Sequence, residues 1–174
     1  MVMLVDSREQ NGKNKHILDW FDANGIQYVR KVTLETGDYM ALENKTVTVD
    51  RKAGLQEVYS NLVHDHDRFR RECERAKAAG VQLYILIEEP AIHSVDDVAS
   101  WKNPRIAEYY RIKKAHEEGR MMYRKISTVP PMTSARLQKQ MQTMSEKYGV
   151  AWRFTTPQRC GADIVALVEL EAHK

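Results

Sequence analysis

Apolar and polar positions along this 174-residue chain switch repeatedly between the alternation of a strand and the spacing of a helix. Val2 to Val5 reads as a short buried strand ending at Asp6, and after a polar loop the stretch from about Asn14 to Asn24 turns Ile17, Leu18 and Phe21 to one helical face. Gly25 closes that helix. Ile26 to Leu34 alternates as a second strand, and Tyr39 to Glu43 and Thr46 to Lys52 form a hairpin whose turn is Glu43-Asn44-Lys45. From about Leu55 to Ala79 the residues Leu55, Val58, Leu62, Phe69, Cys73 and Ala76 form one apolar stripe, broken near His64-Asp65-His66-Asp67 and ended by Gly80. Val81 to Ile87 is nearly all apolar, as a central strand covered on both faces should be. Beyond Pro90 the pattern predicts a helix capped by Ser94, a Pro104-led helix to about Glu118, and a mixed segment to Pro130-Pro131. A helix from Ser134 to Tyr148, a strand from Val150 to Phe154 and a last helix from Ala162 to Glu171 complete it. Strands alternating with helices predict an α/β fold, a mixed central sheet flanked by helices, with 1–174 as a single domain and 90–131 as a helical insertion within it.

Composition changes this picture in a few places. With 43% hydrophobic residues the chain can build a core of its own. Its net charge of +3 is mild, but Lys102 to Lys125 holds eight Lys or Arg against three Glu, which suits a polyanion or a solvated helical face. Cys73 and Cys160 have neither metal-site spacing nor a pairing pattern, so reduced thiols in a cytoplasmic setting are expected. The opening apolar run stops at Asp6, and no stretch is long enough for a membrane span, so no membrane partner is expected.

The hairpin carries the candidate chemistry. Period two puts Val47 and Val49 on one face of the strand and Asp50 and Lys52 on the other, while Asp38, after Gly37, opens the preceding strand and comes near Asp50 if the hairpin forms. Two carboxylates with a lysine and no Cys or His suit Mg²⁺ or Mn²⁺ and a phosphate substrate. A solvated Asp50-Lys52 pair on an exposed hairpin face is an equal reading of the same spacing. Arg51, of the opposite parity, is expected to pair with a buried or rim carboxylate. Glu88, at the end of a central strand, either lies near a site or satisfies Arg68. Asp6 reads as a loop cap, and Arg8 with Glu9 as an exposed ion pair. Arg68, Arg71 and Arg75 recur on a solvated helical face with Glu72 within reach of Arg68. His64 and His66, two apart on a helix, do not share a face and make no metal site. Met132, Met141 and Met144 read as core filler. Tyr109, Tyr110 and Tyr123 interleave with Arg105, Arg111, Lys113 and Arg124, a pattern for stacking on unpaired bases or for plain helix amphipathicity.

Taken in order, Val5-Asp6-Ser7-Arg8-Glu9, Gly37-Asp38-Tyr39 and Asp50-Arg51-Lys52 resemble the VDxRE, GDY and ERK motifs of the XPF family of structure-specific DNA endonucleases, a branch of the PD-(D/E)XK superfamily. Arg68-Phe69, Ile87-Glu88 and the closing helix, strand and helix extend the likeness over the chain outside the insertion. Ser100-Trp101 and Pro130-Pro131 resemble small phage-encoded members. The chain departs from the pattern at Asp50, one methylene shorter than the family's Glu. It departs again after Lys52, where the next acid falls on Gln56 by strict count and on Glu57 with one inserted residue. The resemblance implies a restriction-endonuclease-like fold and a catalytic set of Asp6, Asp38, Asp50, Arg51, Lys52 and Glu57. It assigns Mg²⁺ or Mn²⁺ to Asp38, Asp50 and Asp6, phosphate contacts to Arg8 and Arg68, DNA as partner, and a homodimer. A catalytically silent junction-binding or scaffold protein of the same fold, and a sequence-specific restriction-type nuclease, are the competing readings.

Overall fold

The computed structural model describes residues 1–9, 12–120, 125 and 127–170. Six strands among these form one mixed sheet: β1 (Val2–Asp6), β2 (Gln27–Val32), β3 (Tyr39–Ala41), β4 (Val47–Lys52), β5 (Gln82–Glu88) and β6 (Ala151–Thr155). Their order across the sheet is β2-β1-β3-β4-β5-β6. β1 runs parallel to β2 and antiparallel to β3, β3 antiparallel to β4, and β4, β5 and β6 parallel to one another. The predicted α/β fold with a mixed sheet is the observed one.

Helices cover both faces, so β4 is buried at every residue and β5 at every residue but Gln82. On one face α2 (Leu55–Val63), α3 (His66–Ala78) and α5 (Ser134–Tyr148) bury Leu62, Phe69, Leu137 and Met141 against Leu83, Ile85 and Ile87. On the other, α1 (Lys15–Ala23) and α6 (Cys160–Val168) bury Phe21 and Ile164 against Met3, Val49 and Leu86. The predicted break in the long helical segment separates α2 from α3, and Met141 and Met144 fill the core as expected.

Two elements depart from expectation. Ser94 does not cap an α-helix; a short 3-10 helix spans Asp96–Ser100, and the Asp97 carboxylate accepts from both the backbone N–H and the hydroxyl of Ser94 at 2.9 Å. The chain is already extended again at Trp101 and Asn103, ahead of Pro104, so no room remains for further turns. Pro104 then opens α4 (Pro104–Glu117), capped by the Asn103 side chain. Within the stretch read as an insertion, Ile92 and Val98 belong to the first core, so this part shares the main core. Tyr123 and Arg124, of the interleaved aromatic and basic set, and Glu171, the expected end of the last helix, lie outside the described residues; α6 begins at Cys160, two residues earlier than expected.

Candidate active site

Hairpin geometry sets the centre of the site. Tyr39 pairs with Val49, and the Asp38 backbone N–H donates to the Val49 carbonyl at 2.8 Å, so Asp38 and Asp50 leave the sheet side by side. Gly37 makes this approach possible: its φ of +69° is left-handed, and a Cβ there would come within 2.3 Å of the Thr48 hydroxyl. Asp50 and Lys52 share the face predicted by strand parity, with Lys52 Nζ 2.7 Å from Asp50 Oδ2. Both are almost fully buried, so the solvated hairpin face is not what forms.

Charges in this pocket are unbalanced. Burial raises the pKa of Asp38 well above the usual carboxylate range, and the Asp50 carboxylate beside it raises it further. Asp38 nonetheless keeps part of its surface open to solvent, and its Oδ2 accepts the Arg51 backbone N–H at 3.0 Å. Burial alone would discharge Lys52, but Asp50 and Asp38 outweigh it and hold the ammonium above its ordinary pKa, so Lys52 is a fixed cation at neutral pH. Asp50 Oδ2, despite the nearby ammonium, makes no properly oriented hydrogen bond.

Two further acids face the pocket. Glu72, on α3, accepts the Gly37 backbone N–H at 3.0 Å; burial and then the Asp50 charge raise its pKa. Burial likewise raises Glu9, which lies in the field of Arg51, Glu57, Asp50 and Lys52. The expected Arg68–Glu72 and Arg8–Glu9 pairs do not form. Glu72 turns inward because α3 presents Phe69 and Cys73 to the core and carries Glu72 in on their flank, a position the apolar stripe on either side marks. Arg8 instead takes Asp6.

Asp6 is engaged on both oxygens. Oδ1 accepts from the Arg8 backbone N–H at 2.7 Å and Nε at 2.8 Å, and Oδ2 from Arg8 Nη2 at 2.9 Å and the Leu34 N–H at 2.7 Å. Although burial opposes it, these bonds hold Asp6 below its ordinary pKa. Both Asp6 oxygens are thus taken up by Arg8 and the Leu34 N–H, whereas Asp38 leaves part of its surface open. Its side chain caps the loop, and its backbone N–H donates to the Asp38 carbonyl at 2.8 Å.

The remaining candidates lie around this centre. Arg51 points to the opposite face and grips Glu88 through Nε at 2.8 Å and Nη2 at 2.9 Å. Glu88 therefore satisfies Arg51, and His16 at 2.7 Å, rather than Arg68. Glu57 sits exposed in the first turn of α2 and accepts the Ala53 backbone N–H at 2.9 Å. Arg68 is exposed, as are His64 and His66. In α4, Arg111 pairs with Glu108 and Arg105 lies over the Tyr59 ring, 5.2 Å from its centroid.

Residues 5–168 match the ERCC4 domain. The chain belongs to this family. The matched stretch spans all three motifs and every strand of the sheet apart from the first three residues of β1. XPF from Aeropyrum pernix is similar in structure, with a TM-score of 0.60 and 18% identity over 97% of this chain and 63% of that one. A structure of XPF from Aeropyrum pernix in complex with DNA is similar with a TM-score of 0.57 and 19% identity over 96% of this chain and 62% of that one. The chain thus spans less than two thirds of the length of these proteins. No curated protein sequence matches.

The donors of this ERCC4 domain fit a hard divalent cation. Two carboxylates meet with like charge, one buried oxygen lacks an oriented donor, and one side of Asp38 is open. Mg²⁺ asks for one or two carboxylates and otherwise for water and phosphate oxygens, which is what the pair leaves free.

Proposed function

We propose that this protein is a divalent-metal-dependent DNA endonuclease that hydrolyses phosphodiester bonds in branched, flapped or single-strand-containing DNA. The observation that carries the reading is the buried Asp38–Asp50 pair with the Lys52 ammonium 2.7 Å from Asp50, in a chain of the ERCC4 domain family. A structural homologue in complex with DNA supports the choice of substrate.

Asp38 and Asp50 would hold Mg²⁺ or Mn²⁺, with the main-chain carbonyl of Arg51 as a further oxygen. When bound, such an ion acidifies a water and neutralises phosphate oxygens. Lys52, kept charged by its two acidic neighbours, orients the attacking water and stabilises negative charge developing on the phosphate. Its raised pKa makes it a donor rather than a proton acceptor. Asp6 acts through Arg8: it fixes the guanidinium on the rim, where Arg8, 65% exposed, is free to meet a phosphate. Arg68, exposed on α3, extends the phosphate contacts along the same side as Glu72. Glu57 holds the turn after Lys52 and adds negative charge beside it. A homodimer and further DNA contacts from α4 belong to the same proposal.

Labelled flap, fork, duplex and single-stranded DNAs incubated with purified protein and Mg²⁺ or Mn²⁺ test it. Cleavage near junctions or in single-stranded arms is the expected result. Intact substrates throughout would refute the nuclease reading, and fixed sequence-specific cuts in duplex would refute the structure-specific one.

A further inference from the structure

Behind the acid pair, on the opposite face of β4, three ligands of different chemistry converge from three elements. His16 lies in the first turn of α1, Glu88 ends β5 and Cys160 opens α6. The His16 ring nitrogen, the Glu88 carboxylate and the Cys160 sulfur all lie within 4.8 Å of one another, and His16 Nε2 stands 2.7 Å from Glu88 Oε1. Among the described residues this is the one group of three potential ligands at that spacing.

We infer that His16, Glu88 and Cys160 form a binding site for a soft or borderline divalent cation of the Zn²⁺ class, distinct from the Mg²⁺ or Mn²⁺ position at Asp38 and Asp50. Nitrogen, sulfur and carboxylate oxygen together are a zinc set, whereas Mg²⁺ and Mn²⁺ take oxygen. Three protein ligands leave a fourth position to water, reached from the side where His16 remains 32% exposed. Ligand atoms around a tetrahedral zinc stand about 3.3 to 3.7 Å apart, so the His16–Glu88 contact opens by about half an ångström, with Cys160 Sγ already within 4.8 Å of both.

Charge agrees with this assignment. Binding releases the Cys160 thiol proton to solvent and shifts the His16 ring proton from Nε2, which faces Glu88, to Nδ1; the resulting thiolate sits at the first residue of α6, where the helix dipole favours an anion. Thiolate and Glu88 then carry two negative charges against the single positive charge of Arg51; in the absence of a cation, burial and Glu88 hold the thiol protonated, so the thiolate forms only with the ion. Glu88 Oε2 keeps its 2.9 Å bond to Arg51 Nη2, while Oε1 exchanges the 2.8 Å bond from Arg51 Nε for the metal. Because the Arg51 backbone N–H donates to Asp38, an ion here lies one residue behind the proposed nuclease centre and is felt by the same strand.

Cobalt(II) is the probe, added to chelator-stripped full chain in excess Mg²⁺ so that the acid pair is already served. The expected result is a near-ultraviolet thiolate-to-cobalt band saturating at one equivalent and bleached by Zn²⁺. Cys160→Ser removes the band, His16→Gln weakens binding at least about tenfold, and Cys73→Ser and Asp50→Asn leave it unchanged. His16 lies at the surface, so His16→Gln keeps the proposal testable even if Cys160→Ser unfolds. Absence of the band in wild type, or its survival in a folded Cys160→Ser, overturns the site. The readout does not involve DNA cleavage, so failure of the nuclease reading would leave it standing, and the reverse.

Discussion

On one face of β4, Asp50 lies beside the second carboxylate of Asp38, burial and mutual repulsion raise the pKa of Asp38, and one Asp50 oxygen goes without an oriented donor. On the other face, one residue along, Arg51 closes a two-bond fork on Glu88, which also takes His16. Burial works against Glu88 as an anion too, but its donors prevail and its pKa falls below the ordinary value. The same strand thus carries a charge cluster that is incomplete and one that is satisfied. Buried charge is costly unless paired. The fold accepts that cost on the face proposed to act and avoids it on the face that fastens β4 to β5, α1 and α6.

Removing the cation from the unbalanced face should have the largest effect. Lys52→Ala is expected to lower Mn²⁺-dependent cleavage of a labelled flap by at least about 100-fold, the scale of losing a preorganised donor at developing charge. A rate within about threefold of wild type would show that Lys52 takes no part in cleavage.

On the balanced face the expected loss is in stability. Glu88→Ala leaves the Arg51 guanidinium buried without its partner and should cost about 3–5 kcal/mol in urea unfolding. A loss under about 1 kcal/mol would mean that water replaces Glu88 and that the two faces differ less than their geometry suggests.

Divalent metal should sharpen the contrast from the other side. Mn²⁺ or Mg²⁺ relieves the repulsion between Asp38 and Asp50, so it should raise the midpoint of thermal unfolding at neutral pH by a few degrees. The gain should disappear on chelation and in Asp50→Asn, and persist in His16→Gln. An equal gain in Asp50→Asn would place the ion elsewhere.

Carboxyls with raised and with lowered pKa values respond oppositely to pH. Asp38, Glu72 and Glu9 have raised pKa values, so their penalty is fully present above those values and is relieved as pH falls toward the ordinary carboxylate range. Glu88 and Asp6 have lowered values, so their contribution is complete above about pH 4 and is lost as pH falls through their folded values. Metal-free protein should therefore gain stability from neutral pH down toward about pH 5 and lose it below about pH 4. A steady loss from neutral pH downward, followed by urea midpoints, would contradict the assignment of the raised values.

The unbalanced face was legible in the sequence because its geometry is local. Strand parity aligns Asp50 with Lys52, a short turn returns the chain to Asp38, and Gly37 marks the tight approach. The balanced face was legible only in outline. Parity assigns Arg51 a carboxylate partner, but Glu88 reaches it across 37 residues of sequence and His16 reaches Glu88 across 72, which no local period encodes. Glu72 was misassigned for a related reason: its helical neighbour Arg68 is within i,i+4 reach, yet the Gly37 N–H and the pocket claim it from another element. Asp6 shows the opposite case, since its capping contacts follow from its place at a strand end.

The substitution that joins both halves of the account is Asp38→Asn, which keeps an acceptor for the Arg51 N–H and removes one of the two opposed charges. Flap cleavage with Mn²⁺ and the urea midpoint without metal should be measured on one preparation. Cleavage should fall by at least about 100-fold while the metal-free midpoint rises. Retained cleavage, or a midpoint that falls, would contradict the claim that the Asp38–Asp50 repulsion is maintained for metal-dependent chemistry.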